Sequence, residues 1–133
     1  MPDLIQELKK EHKTLLDALE DISKKGLNNT EAMNRLSAAR EGFIIHLKKE
    51  ESELYPRLYA RAESDKTLKR MLELFDNEMS DIGAETLAFF SKYSRPGSVF
   101  DFNRDMKGLC ATLGKRLRRE EKFIYEEYEK LGC

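Results

Sequence analysis

One ten-residue stretch constrains this chain more than any other: His46-Leu47-Lys48-Lys49-Glu50-Glu51-Ser52-Glu53-Leu54-Tyr55. It returns seventy residues later as Arg116-Leu117-Arg118-Arg119-Glu120-Glu121-Lys122-Phe123-Ile124-Tyr125. Leu47, Glu50, Glu51 and Tyr55 recur as Leu117, Glu120, Glu121 and Tyr125, while His46 becomes Arg116. A repeat at this distance predicts two related helix pairs with a different residue at one chemically active position. Read as helix, the first copy puts His46 and Glu50 one turn apart on one face. Leu36, Ala39 and Phe43 lead into that face and Leu54 continues it, so it is the buried one. A buried carboxylate is costly unless something cationic compensates it, and the rest of the chain has to supply that compensation.

The remaining segments carry helical periodicity. Asp3 with Gln6 forms a capping box for helix 1. Ile5, Leu8, His12, Leu15, Leu19 and Ile22 follow in steps of three and four. Lys24 and Lys25 suit a helix C-terminus, and Gly26 supplies the stop. Helix 2 is expected from Asn29 or Thr30 to Pro56, which should kink or end it. Leu58 to Ala62 continue as a further helical segment, and Ser64 and Asp65 mark a turn. Helix 3 shows Leu68, Leu72, Phe75, Met79, Ile82, Thr86, Phe89 and Tyr93. Ser94-Arg95-Pro96-Gly97-Ser98 is the clearest break, and Ser98 with Asp101 caps helix 4. That helix runs through Phe102, Met106, Leu109, Leu113, Arg116, Glu120 and Phe123. The expected fold is all-α: an up-down-up-down antiparallel four-helix bundle, as one domain over residues 1–133.

Composition removes several function classes. Charged residues make up 37% of the chain, but the net charge is only -1. That balance argues for neither nucleic acid nor membrane as a partner. The basic run Lys115, Arg116, Arg118, Arg119, Lys122 is interleaved with acids and reads as a solvated helix face. No apolar run spans a bilayer and no signal peptide is visible, so a cytoplasmic location is expected. Cys110 and Cys133 form no metal or redox spacing, and Cys110 reads as a small core residue. No phosphate loop or nucleophile elbow supports an enzyme. Tyr55, Tyr59 and Tyr125 read as packing residues with polar tips.

The inward polar residues are therefore His12, His46, Glu50, Arg116 and Glu120, and the chain's 2 histidines are both among them. Imidazoles and carboxylates on facing helices are how bundles hold iron, manganese or zinc. On Glu11-His12, His46-x-x-x-Glu50-Glu51 with Leu54-Tyr55-Pro56, and the Glu120-Glu121 copy, the sequence resembles the hemerythrin-like, or HHE cation-binding, family. The resemblance covers nearly the whole chain. It implies a four-helix bundle around two oxygen-bridged irons, with members that carry or sense oxygen. It also implies that His12 and His46 serve one iron, and that Glu50 and Glu120 match the bridging carboxylates. The second iron's histidines are missing. The family's Glu-His on helix 3 is Glu78-Met79 here, a further histidine of some members falls at Phe75, and the helix 4 histidine is Arg116.

Two readings follow. In the first, His12, His46, Glu50 and Glu120 hold at most one non-haem metal ion, with iron, zinc or manganese all suited to the ligands. A sensor or a small-molecule or oxygen-related binding role would follow. Oxygen carriage in the hemerythrin manner needs two electrons, and one ferrous ion supplies one. In the second, the bundle is metal-free, and Arg116 replaces the lost cation by neutralising Glu50, Glu120 or both. Such a bundle would be an interaction or structural module. Both readings expect His12, His46, Glu50, Met79, Arg116 and Glu120 in one core layer toward one end of the bundle.

Overall fold

The computed structural model describes residues 4–26, 30–93 and 101–131. Within them the chain is helical, with no strand. Four rods pack side by side. The first is α1 (Leu4–Lys25). The second is α2 (Thr30–Lys49), a π turn at Glu50–Leu54, and α3 (Tyr55–Ala62). The third is α4 (Lys66–Lys92). The fourth is α5 (Phe102–Arg119), a π turn at Glu120–Ile124, and α6 (Tyr125–Leu131). Helix α1 packs on α2 and α5, and α4 packs on α2, α3 and α5, which closes the ring.

The local signals explain the ends that are described. Gly26 takes φ +82°, which an L side chain resists, and its N–H donates to the Ile22 carbonyl at 2.8 Å. Asp65 caps α4 by accepting from the Leu68 N–H at 3.1 Å. Asp3, Asn29, the break at 94–98 and Cys133 lie outside the described residues. Cys110 is half-buried against the apolar core.

Pro56 neither ends the second rod nor explains its irregularity. It sits in the first turn of α3, where a missing N–H is tolerated. The backbone ahead of it is wound as a π turn, with the Tyr55 N–H bonded to the Glu50 carbonyl five residues back. The same bond joins Tyr125 to Glu120 in the fourth rod, where no proline follows. The π turn therefore belongs to the repeated motif. It also corrects the buried face of helix 4: one residue is absorbed, so Ile124 and Tyr125 are fully buried while Phe123 is 41% exposed. On α4 the stripe is interrupted after Phe75: Met79 and Ile82 are half-buried and Gly83 and Phe90 join the interior, while Thr86, Phe89 and Tyr93 are buried as expected.

The apolar core comes in two blocks. Leu15, Leu19, Phe43, Phe90, Phe102 and Met106 belong to one. Ile5, Leu8, Leu54, Leu58, Leu72 and Ile124 belong to the other. The polar layer divides them, so it lies in mid-bundle rather than toward one end. The cause is that the second and fourth rods run on past their π turns and bury α3 and α6 residues beyond the layer.

Candidate metal centre

His12, His46, Glu50 and Glu120 meet in that layer, each no more than 3% exposed. One ligand-type atom from each lies within 4.8 Å of the others. Each histidine is held from outside. The Nδ1 of His46 donates to Glu11 Oε1 at 2.7 Å, and the Nδ1 of His12 donates to Glu121 Oε2 at 2.8 Å. A carboxylate can only accept, so these bonds place an N–H on Nδ1 and aim Nε2 inward, where it presents a lone pair whenever the imidazole is neutral. There His46 Nε2 lies 3.3 Å from Glu50 Oε2, and His12 Nε2 lies 3.3 Å from Glu120 Oε1. The rings are 4.5 Å apart between centroids.

Two tyrosines complete the layer, and neither is a mere packing residue. Tyr55 donates its hydroxyl to Glu120 Oε2 at 2.6 Å. Tyr125 donates to Glu50 Oε2 at 2.5 Å, with Glu120 Oε1 at 3.3 Å and His12 Nε2 at 3.0 Å from the same oxygen. Their role was masked because glutamate and tyrosine are five apart in each copy. An α-helix turns such residues about 140° away from each other, and only the π turn brings them together. The recurrence of that five-residue spacing in both copies was the available signal.

The arrangement has an approximate two-fold relation. Tyr55 reaches Glu120 in the other copy, and Tyr125 reaches Glu50. Glu11 on α1 holds His46, and Glu78 on α4 holds the residue that replaces histidine in the second copy. Arg116 is indeed buried, at 2% exposure, and is not part of a solvated face. Its guanidinium bonds to Glu78, donates to the Phe75 carbonyl at 2.7 Å and lies 4.0 Å from the Phe75 ring centroid. The expectation that it would neutralise Glu50 or Glu120 by direct contact is therefore corrected. Arg116 takes Glu78, the counterpart of the Glu11 that holds His46. Met79, in the place of His12, is half-buried beside a groove and not in the inner layer.

The electrostatics follow from burial and this pairing. Burial and the neighbouring Glu120 push the Glu50 carboxyl above the usual range. Burial also works to raise Glu120, but the bonds from His12 and Tyr55 outweigh it and hold Glu120 low. Burial alone would lower His46; Glu50 and Glu11 overcome it and raise it. A histidine raised on folding contributes stability fully present below about pH 6.5 and lost as pH rises through its folded value. The metal-free protein is therefore expected to melt at a lower temperature at pH 8 than at pH 6, as read by circular dichroism in chelator.

The centre is short of positive charge. Two imidazole nitrogens and two carboxylates converge, and among the described residues the hydrogens offered from the side are the two tyrosine hydroxyls. Tyr125 has one hydrogen for three acceptors, and the buried His46 Nε2 has no hydrogen-bond partner. This donor set fits a divalent cation in ligand type and in charge. Ligands about 2.1 Å from one ion stand at most about 4.2 Å apart, so closure requires only a small inward movement. Removing the Tyr125 hydroxyl as Tyr125→Phe should cost about 1.5–3 kcal/mol of metal-free stability, the usual loss for a bond to a charged group. Urea titration in chelator measures it.

The family model of the hemerythrin HHE cation-binding domain matches residues 3–128. No curated protein and no solved structure matches the chain.

Proposed function

We propose, since the chain belongs to the hemerythrin HHE cation-binding family, that it is a one-domain protein over residues 1–133 binding at most one non-haem metal ion through His12, His46, Glu50 and Glu120. The four rods follow one another up and down, because the intervals at 26–29 and 63–65 are too short for a crossover along the bundle. The observation that carries the reading is the His46 Nε2, buried and unpartnered, aimed at Glu50 while Glu11 fixes its tautomer from behind. Glu11 and Glu121 orient the two imidazoles. Glu50 and Glu120 supply the compensating negative charge, and Tyr55 and Tyr125 hold those carboxylates in place. Iron is the metal the family implies, and zinc or manganese suits the same ligands. A bound iron would supply a one-electron couple and a coordination position for a small molecule, which favours a cytoplasmic sensor or oxygen-related role over carriage.

Elemental analysis after chelator-free purification and reloading with ferrous or zinc ions tests this. The expected content is one ion per chain or fewer, and two tightly bound ions would overturn the half-site argument. A second reading, a metal-free interaction module, draws on the Tyr125 hydroxyl. It already donates to Glu50 at 2.5 Å, lies 3.0 Å from His12 Nε2, and would serve as an internal link in place of an ion. No bound ion under any loading condition, with the helical spectrum intact, selects that reading.

A further inference from the structure

The half of the bundle that lost its histidines retains a route to the centre. A cavity of about 400 Å³ is lined by Leu47, Glu50, Glu51, Tyr55, Asp76 and Met79, among others. Glu50 is the residue this cavity shares with the buried cluster. A second cavity of about 420 Å³ lies beside Arg116, Arg119, Glu78 and Lys115, and it contains none of the four clustered residues. Its guanidinium and ammonium groups would also repel a cation.

The groove beside Met79 has the opposite character. Glu51 is the repeat partner of Glu121, which holds His12. Its own histidine is replaced by Met79, and Glu51 makes no hydrogen bond or ion pair among the described residues. Asp76 also has none there, and both acids are exposed. Glu50, at the inner end, is 2% exposed. Met79 lines the same cavity, half-buried, with an unbranched side chain that changes rotamer easily.

We infer that a divalent cation reaches the centre through this groove, drawn by Glu51 and Asp76, passing Met79 as it swings aside, and meeting Glu50 first. The inference rests on the proposed metal site. It gives Glu51, which has no side-chain partner among the described residues, a function: the counterpart of the carboxylate that orients His12 attracts the ion. Acids at the mouth of a low-dielectric cleft concentrate cations and speed capture in a salt-dependent way.

Cobalt(II) uptake by the metal-free full chain, followed by its visible absorption in a stopped-flow instrument, tests the route. The double variant Glu51→Lys with Asp76→Lys should slow uptake about tenfold at low salt and flatten the salt dependence, with the equilibrium stoichiometry unchanged. Met79→Phe should slow both uptake and chelator-driven release by obstructing the groove. Glu85→Lys makes one such charge reversal, half that of the double variant, on α4 beside a different cavity and should leave the rate as it is. Both acid positions are exposed, so the double variant should fold, and its circular dichroism melt checks this. One ion taken up at unaltered rates by both groove variants would overturn the route alone. No cobalt bound at equilibrium by the native chain would overturn the metal site and the route with it.

Discussion

Replacing Met79 and Arg116 together by histidine is expected to raise the metal capacity from one ion per chain to two. The outer parts of the second half-site are still in place. Glu11 holds His46 through Nδ1 at 2.7 Å, and Glu78, its repeat counterpart, is bonded to Arg116. Glu121 holds His12 at 2.8 Å, and Glu51, its counterpart, lines a cavity with Met79 and has no side-chain partner among the described residues. A histidine at 116 would find Glu78, and one at 79 would find Glu51. Each would turn Nε2 toward Glu50 and Glu120, as the native histidines do. The change also removes a guanidinium whose charge opposes a second cation. Arg116→His alone restores one nitrogen and removes the charge, and Met79→His alone leaves the charge in place. The second ion should therefore bind tightly only in the double variant. Elemental analysis with a titration against a metal indicator measures the capacity. A double variant that folds and still binds one ion would refute the two-fold relation between the half-sites.

The sequence carried the helical periods, the repeat and the inward placement of His12, His46, Glu50 and Glu120, because a period of three and four residues is a direct projection of a helix face. It concealed what a change of winding does to that projection. Phe123 was assigned inward by counting along an ideal α-helix, and the π turn moved Ile124 and Tyr125 there instead. The same count separated Tyr125 from Glu120, which the structure places 3.3 Å from its hydroxyl. The repeat held the clue, since a polar residue kept at an unfavourable helical spacing in both copies requires the helix to change. Arg116 failed differently. Its burial was readable, but its partner depended on how far a guanidinium reaches, and Glu50 and Glu120 belong to the same layer. Glu78 won because Glu11 does the same for His46. A side chain's position on a helix face says which layer it enters and not which group it meets there.

His46→Ala should abolish the binding of any metal that the native chain holds, and it is the sharpest test of the ligand set. The native centre offers two nitrogens, and the second half-site has no other to lend. Losing one leaves His12 and two carboxylates. It also leaves Glu50 without the imidazole that faces it at 3.3 Å, so the carboxyl is driven further toward its protonated form. A protonated carboxyl does not compete for a cation, so the loss exceeds that of a single bond. Glu11→Gln is the informative companion. It keeps the imidazole and its position but weakens the acceptor behind Nδ1, and changes of this kind reduce metal affinity about 10–100-fold. The expected order is native, then Glu11→Gln, then His46→Ala with no measurable binding, by isothermal titration with zinc at pH 7.5. Lowering the pH to about 5.5 should weaken the native protein in the same direction, since a proton then competes at a histidine whose affinity for it is raised. Equal zinc affinity in native protein and His46→Ala would place the ion elsewhere, and the inner layer would then be a proton-sharing network tied together by Tyr125.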